Sequence, residues 1–330
     1  LLPRAGGDFR VQGTLKGKAQ QPDLDLTVNA GNMSYEQYRF KQLNAKIKAD
    51  LSEQGAIDAE LKANGIQLKG EKINTAALQI RGSTEQHTLE LACDGTAGKA
   101  RLTATGGLKE QIWQGRLTRL AFDHGRFGEW AMQGPAALRL SGQNAALSDF
   151  DLQHKELNIS LDGSWKKEGN WQVKGVADNF ALQLLQEWQL PVPELKGTAE
   201  AKLITQGRGA QVEQAELLLE LPRLSLTTES FKDDEEEVGT IDWIWTDNVL
   251  EARLQETTAT VKARTHFQDT GDASFDISAK NCCDLTQPEK IPLNGQLDLN
   301  FNDLTPLTHW SNEAVQAAGK FKGRILLGGT

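Results

Sequence analysis

Leu43-x-Ala45-x-Ile47-x-Ala49-x-Leu51 places an apolar side chain at every second position, with Asn, Lys, Lys and Asp between them. A period of two residues is that of a β-strand with one apolar face. The same alternation recurs along the 330 residues in Leu24-x-Leu26-x-Val28, Ile57-x-Ala59-x-Leu61, Leu89-x-Leu91, Leu138-x-Leu140, Leu157-x-Ile159-x-Leu161, Leu217-x-Leu219-x-Leu221, Ile241-x-Trp243-x-Trp245, Leu250-x-Ala252-x-Leu254, Phe275-x-Ile277-x-Ala279 and Leu297-x-Leu299-x-Phe301. The sequence therefore predicts a mainly β protein.

Turn signals separate these strands. We interpret Ala63-Asn64-Gly65, Arg81-Gly82-Ser83, Thr105-Gly106-Gly107 and Glu168-Gly169-Asn170 as turns, and Asp247-Asn248 as the end of the strand that carries Trp243 and Trp245. Short strands joined by tight turns indicate antiparallel neighbours in a meander. The alternation fits either a series of β-sandwiches or one continuous sheet folded lengthwise.

Two short segments are predicted to be helical, and they resemble each other. Leu182, Leu185 and Trp188 recur roughly 120 residues later as Leu304, Leu307 and Trp310, and a glycine that opens a strand follows each set. We expect helices near 181–188 and 304–317. The predicted organisation is a β segment over 1–177, incomplete at its start, a helix-led β repeat over 178–301, and the beginning of the next repeat over 302–330. We expect the chain to be a fragment of a longer protein.

Composition excludes several classes of function. A net charge of −9 argues against a nucleic-acid-binding surface, which requires a basic stripe. Three cysteines are too few for a disulfide framework, and no apolar run reaches the length of a membrane-spanning helix. The dense acidic run Asp233–Glu237 is typical of a solvated loop, since it lacks the ligand spacing of a calcium site.

Motifs for catalysis or metal binding are absent from the sequence. The five histidines are scattered, without zinc-ligand spacing, and there is no nucleophile elbow, Walker A loop or dinucleotide-binding glycine motif. His87 falls where a turn enters a strand, a position that favours a capping or packing role. The sequence predicts no catalytic residues, no metal site, no cofactor and no enzymatic activity.

Tryptophan is abundant, with eight residues against two tyrosines. Trp243 and Trp245 are two positions apart and must point to the same face of their strand. They would either fill the core of a sandwich or line an open groove.

Several segments stand in a characteristic order along the chain. They are Asn179-Phe-Ala-Leu-Gln-Leu-Leu185 leading into Leu195-Lys-Gly197-Thr-Ala199, Asn302-Asp-Leu-Thr-Pro-Leu307 leading into Ala318-Gly-Lys-Phe-Lys-Gly323, Trp113-Gln-Gly115-Arg-Leu117, Gly128-Glu-Trp130-Ala-Met132-x-x-Pro135-Ala136 and Gly82-x-x-x-x-His87-x-Leu89. In this order they resemble the TamB-like family. The resemblance covers residues 8–330 and implies an AsmA-like, bridge-like lipid-transfer protein. It implies an elongated antiparallel "β-taco", a sheet folded lengthwise around an apolar groove, with short helices between its repeats.

The resemblance also implies a function and a location. Such proteins extend through the periplasm of Gram-negative bacteria from an inner-membrane anchor, which we expect outside this chain, and are implicated in outer-membrane biogenesis. The implied partners are phospholipids and a TamA-like outer-membrane barrel, contacted through regions absent here. The alternative function is a scaffold that assembles outer-membrane barrel proteins with TamA by β-augmentation. A surface adhesin or enzyme on a β-solenoid would require clustered carboxylates or histidines, which the sequence lacks.

Transport of an acyl chain needs a continuous apolar surface shielded from water. In this interpretation the alternating strands supply the groove lining, which we predict to include Leu24, Leu26, Val28, Leu43, Ile47, Leu89, Leu91, Leu217, Leu219, Ile241, Trp243, Trp245, Phe275 and Ile277.

Overall fold

The computed structural model describes residues 5–18, 21–35, 38–52, 54–68, 71–230, 239–268, 270–281, 292–305 and 318–329. These residues form β-strands almost throughout, and neighbouring strands pair antiparallel, which confirms the predicted mainly β fold. The chain divides into two compact units. Unit 1 comprises Leu1–Lys155 and Leu161–Lys167, and unit 2 comprises Glu156–Ser160 and Glu168–Thr330.

Unit 1 is a meander. Its strands are β1 Ala5–Lys18, β2 Gln21–Tyr35, β3 Tyr38–Asp50, β4 Ala56–Leu68, β5 Glu71–Ser83, β6 His87–Gly95, β7 Gly98–Lys109, β8 Ile112–His124, β9 Gly128–Met132, β10 Ala136–Leu140 and β11 Asn144–His154. Each strand from β1 to β8 pairs with the next. Strands β9 and β10 both pair with β8 on one side and with β11 on the other, so they act as one strand interrupted at residues 133–135. Strand β12, Leu157–Lys166, is divided between the two units.

Unit 2 repeats the meander. Its strands are β13 Asn170–Ala181, β14 Leu195–Arg208, β15 Gln211–Ser230, β16 Gly239–Gln255, β17 Thr258–Phe267, β18 Gly271–Lys280, β19 Leu293–Phe301 and β20 Phe321–Gly329. Each pairs with the next in antiparallel register. The acidic run Asp233–Glu237 lies outside the described residues.

Among the residues that the structure describes, one helix, α1, spans Leu184–Glu187 between β13 and β14. The helix predicted near 181–188 is therefore present as a single turn, in which Leu182 and Leu184 are buried and Trp188 packs against Phe180 with ring centroids 5.7 Å apart. The chain turns away after the helix at Gln189, whose φ is +56° and which lies two residues before Pro191. Within the described ranges no helix is long and apolar enough to cross a membrane.

The second predicted helix, at 304–317, lies outside the described residues except for its first two positions. Those positions nevertheless show a bond that the first copy also makes. The Leu304 N–H donates to the Gly319 carbonyl oxygen at 3.0 Å, and the Leu182 N–H donates to the Gly197 carbonyl oxygen at 3.0 Å. Both glycines have positive φ, +136° at Gly197 and +110° at Gly319. The sequence repeat thus coincides with a shared hydrogen bond, which joins the residue near the start of each predicted helix to the glycine at the start of the strand that follows.

Three predicted turns are wrong. Ala63-Asn64-Gly65 lies within β4, Thr105-Gly106-Gly107 within β7, and Asp247-Asn248 within β16. Gly65 and Asp247 have φ of +63° and +51° but interrupt the pairing without reversing the chain. Glycine, asparagine and aspartate tolerate the left-handed region in a β-bulge as well as in a turn, so the local signal is the same. Arg81-Gly82-Ser83 does lead into a turn, and Glu168-Gly169-Asn170 joins β12 to β13.

Candidate functional site: the apolar face of the sheet

Directly paired residues of antiparallel strands project from the same face of the sheet. In unit 1 the registers connect apolar side chains into rows that run across the strands. One row is Val11, Val28, Ala45, Leu61, Leu78, Leu91, Leu102 and Leu120, from β1 to β8. The next is Leu26, Ile47, Ala59, Ile80, Leu89, Ala104, Leu117 and Ala136, from β2 to β10. These rows make one continuous apolar face.

The opposite face of unit 1 is charged. Asp25, Lys48, Asp58 and Arg81 form a row in which the signs alternate from strand to strand. Lys48 pairs with Asp25 at 3.7 Å and Arg81 with Asp58 at 3.8 Å, all with exposed side chains. Exposed ion pairs of this kind contribute little to stability, so their role is to keep this face in water. The sheet is therefore apolar on one side only.

Most large side chains on the apolar face are only partly covered. The small side chains of this face are buried, namely those of Ala30, Ala45, Ala49 and Ala63. The larger side chains of Leu26, Leu61 and Leu78 are half-buried, and Leu91 remains 36% exposed. Towards β7–β11 the face is better covered, because Ala104, Leu117, Ala136 and Phe150 form a buried cluster. Large apolar side chains that stay half-exposed over many strands are unusual for a packed core.

Unit 2 carries the same kind of face. Its central row is Ala177, Ala201, Leu219, Leu250, Ala263, Phe275, Leu297 and Ile325, and the adjacent row is Leu203, Leu217, Ala252, Val261, Ile277 and Leu327. A cavity of about 270 Å³ opens over the central row, beside Leu219, Leu250, Phe275 and Leu297. The opposite face holds the ion pairs Lys202–Glu220, Lys262–Asp276 and Arg324–Asp298.

Bulges keep this face in phase where the sequence alternation slips. Asp178 and Asn179 of β13 together oppose one residue of β14, and the same holds for Leu221 and Pro222 of β15. In β16, Asp247 and Asn248 oppose the single residue Thr265 of β17. Because each bulge adds one residue, Trp245 and Leu250 project from the same face although five positions separate them.

Asn248 holds the third bulge in place. Its side-chain Nδ2 donates to the Leu221 carbonyl oxygen at 2.8 Å, and its Oδ1 accepts a hydrogen bond from the Thr265 hydroxyl. One side chain thus connects β15, β16 and β17 at the point where the pairing is irregular.

An aromatic row borders the apolar face of unit 2. Trp245 contacts Phe267 with ring centroids 6.0 Å apart, and Phe267 contacts Phe301 at 5.4 Å. Gly271 pairs with both phenylalanines and has no side chain to separate them. Trp243 pairs with Leu226 and is only 8% exposed, so it is far more covered than Leu91.

The predicted lining residues fall on these two faces. In unit 1, Leu24, Leu26, Val28, Leu43, Ile47, Leu89 and Leu91 share the apolar face, and in unit 2 so do Leu217, Leu219, Trp243, Trp245, Phe275 and Ile277. The side chain of Ile241 lies outside the described residues. The prediction missed other residues of these faces, among them Leu78, Ile80, Leu102 and Val261. The alternating patterns Leu78-x-Ile80 and Leu102-x-Ala104 would have indicated the first three.

His87 has the packing role that its position predicts. Its Nδ1 donates to the Ser83 carbonyl oxygen at 2.9 Å, which leaves Nε2 to accept a hydrogen bond from the Trp113 indole at 2.9 Å. The Trp113 ring in turn lies against Gly106 and Gly115, where a Cβ would come within 2.7 Å of it. The histidine is engaged in structure on the apolar face.

Shifted titrations are scattered over exposed sites. The Ser52 backbone N–H lowers the pKa of Asp50, a hydrogen bond from Lys62 lowers the pKa of Glu60, and the Thr305 hydroxyl lowers the pKa of Asp303. These three carboxylates do not form a cluster. Across the described ranges, no group of three or more His, Cys, Asp or Glu side chains is arranged to hold a metal ion.

Comparison with known proteins gives one family and no structural relative. Residues 1–330 match the family described as TamB, N-terminal domain. No solved structure matches the chain. The match extends over the whole sequence and agrees with the ordered segments that resemble this family, so the chain belongs to the TamB family.

Proposed function

We propose that the apolar face binds the acyl chains of phospholipids and shields them from water as they move between the inner and outer membranes. Family membership supports a role in cell-envelope biogenesis. The observation that carries the finer proposal is the uninterrupted apolar row in each unit, with large side chains left half-exposed and a charged face behind it.

An acyl chain would cover the apolar side chains that the protein itself leaves half-exposed. Each methylene removed from water contributes about 0.8 kcal/mol, and a half-exposed leucine gains as well when a lipid covers it. The interaction needs no nucleophile, base or metal. It also needs little sequence specificity, since any apolar side chain of suitable size serves, and this fits the variety of Leu, Ile, Val, Ala and Phe in the rows.

The proposal includes the wider arrangement that the family resemblance implies. We place the protein in the periplasm, anchored to the inner membrane. The helix-led segments 178–301 and 302–330 are repeats of one unit, supported by the matching bonds of Leu182 and Leu304, and a longer chain would extend the groove by adding such repeats.

Adjacent residues of β15 provide a direct test. Leu219 lines the apolar cavity, whereas Leu218 projects from the opposite face and pairs with Lys202 and Glu251. A photo-crosslinking amino acid at position 219 should label phospholipid in cells, and the same amino acid at position 218 should not. Equal labelling at both positions, or none at either, would contradict the proposal. Crosslinks at 219 to unfolded barrel polypeptide in place of lipid would favour the scaffold function.

A further inference from the structure

We propose that His87 and Trp113 form a pH-sensitive latch on the apolar face of unit 1. The latch holds the Trp113 indole against the sheet while His87 is neutral and releases it when His87 takes up a proton. His87 is the first residue of β6, and Trp113 lies near the start of β8. The inference concerns the response of the sheet itself to pH and does not rest on the proposed function.

The pairing register places two glycines beneath the Trp113 indole. Gly106 of β7 pairs directly with Gly115 of β8 on one side and with His87 of β6 on the other. A Cβ at Gly106 would stand 2.7 Å from Cζ2 of Trp113, and a Cβ at Gly115 would stand 2.7 Å from its Cη2. Because these positions carry no side chain, the indole can lie close to the backbone of the sheet.

One hydrogen bond holds the indole in this position. The Trp113 Nε1–H donates to Nε2 of His87 at 2.9 Å, and Nδ1 of His87 donates to the Ser83 carbonyl oxygen at 2.9 Å. An indole N–H can only donate, so Nε2 must be the acceptor, and it can accept only in a neutral imidazole. A protonated imidazole carries a hydrogen on both nitrogens. Protonation of His87 and its hydrogen bond to Trp113 therefore exclude each other.

The charged side chains near His87 do not favour a proton at this position. Those of the neighbouring strands and of β6 itself project from the opposite face, namely Asp50 of β3, Arg81 of β5, Glu90 of β6, Lys109 of β7 and Arg116 of β8. Glu85 and Glu110 lie in the adjoining turns and are exposed. Within the described part of the chain, no ion pair includes His87. A positive charge on the apolar face would thus favour movement of the imidazole towards water.

Release of the indole would change the best-covered part of the apolar face. Trp113 packs against the buried cluster that contains Ala104 and Leu117. These two residues pair directly, in the cross-strand row next to Gly106 and Gly115. When the ring moves away, no side chain of the two glycines fills the space that it leaves. The apolar face would therefore gain a recess beside the cluster in acid, which the indole fills at neutral pH.

The exchange of indole N–H groups with solvent, measured by NMR on isotope-labelled protein, tests the latch. The Trp113 resonance is assigned by its absence in Trp113→Phe. Trp171 is the internal reference, because its indole donates to the Gly209 carbonyl oxygen at 3.1 Å, an acceptor that does not titrate. Imidazole side chains gain a proton between about pH 8 and pH 5. Over this range we expect exchange at Trp113 to become at least about tenfold faster relative to exchange at Trp171.

Two substitutions of histidine separate the latch from other effects of pH. His87→Gln introduces a carboxamide oxygen, which can accept a hydrogen bond but does not titrate, so the pH-dependent increase at Trp113 should disappear. His124→Gln is the matched control, because it removes a histidine of the same unit whose Nδ1 accepts hydrogen bonds from the backbone N–H groups of Arg126 and Phe127. The control should respond to pH like the wild type.

An exchange rate at Trp113 that keeps a constant ratio to that at Trp171 across the pH range would overturn the inference. A His87→Gln protein with the wild-type response would also overturn it, because the titrating group would then lie elsewhere. If either substituted protein is poorly folded, the wild type alone decides. Its His87 imidazole signal must then titrate over the same pH range as the change at Trp113, and a different range would contradict the latch.

Discussion

Strands β2–β5 of unit 1 and β13–β16 of unit 2 build the same surface in different ways. From β2 to β4 the cross-strand rows follow the simple alternation of the sequence, as in Leu26, Ile47 and Ala59. In β13, β15 and β16 the alternation slips by one residue, and bulges at Asn179, Pro222 and Asp247 restore it. Regular hydrogen bonding is given up in the second region while the apolar face is kept. The sequence thus specifies a continuous apolar face more strongly than it specifies regular hydrogen bonding between the strands.

Removing a bulge should reduce the stability of unit 2 more than any other change proposed below. Deleting Asp247 should turn Trp243 and Trp245 to the opposite face relative to Leu250, because a shift of one residue exchanges the two faces of a strand. Two buried or half-buried indoles would then be exposed, at a cost of several kcal/mol, about 3 or more. We expect unit 2 to lose its cooperative thermal transition. Inserting one glycine into the β16–β17 turn after Glu256 is the control and should be tolerated, and a deletion variant with the wild-type melt would contradict the account.

The next largest effect concerns a glycine of the repeat. Gly197 has φ of +136°, and a Cβ there would stand 2.1 Å from the Arg223 carbonyl oxygen on β15. Gly197→Ala should destabilise unit 2 by about 3 kcal/mol through backbone strain and displacement of β15. Gly209→Ala, with φ of +58° and open space around the Cβ, should cost only about 1 kcal/mol. Urea denaturation of the two variants measures the difference, and equal costs would show that close approach at Gly197 is unimportant.

A smaller effect is expected at the side chain that anchors the β16 bulge. Asn248→Ala removes the hydrogen bonds to the Leu221 carbonyl and the Thr265 hydroxyl and leaves those groups unsatisfied. The expected loss is about 1–3 kcal/mol. Asn294→Ala, at an exposed position of β19, should change stability by less than about 0.5 kcal/mol. Similar melting temperatures for both variants would mean that the bulge is held by packing alone.

The sequence predicted the β fold and the identity of many face residues because a period of two is a strong signal wherever strands are regular. The sequence-based prediction was wrong where the same residues are typical of both a turn and a β-bulge. Asn64-Gly65 and Asp247-Asn248 are typical of turns, but they lie inside strands of 13 and 17 residues. The sequence does show that the alternation shifts by one residue within this strand. Trp243 and Trp245 occupy odd positions, Leu250 and Ala252 occupy even positions, and Asp247 and Asn248 lie between the two pairs.

The helical segment shows a second limit. The spacing of Leu182, Leu185 and Trp188 predicts one side of a helix, but the buried pair is Leu182 and Leu184. With one turn, α1 is too short for a helical period to decide which residues are covered, and packing against the neighbouring strands decides instead.

Neighbouring residues of β6 provide a test of whether the apolar face holds acyl chains. Leu91 lies on that face and is 36% exposed, whereas Ala92 projects from the charged face beside Arg101 and Ala77. Both Leu91→Glu and Ala92→Glu add one negative charge, and neither site is deeply buried, so both proteins should fold. The measurement is the amount of phospholipid per chain in organic extracts of the purified proteins, determined by mass spectrometry. We expect bound phospholipid in the wild type and in Ala92→Glu, and a loss of most of it in Leu91→Glu. Equal lipid content in both folded variants, or none in the wild type, would contradict the account.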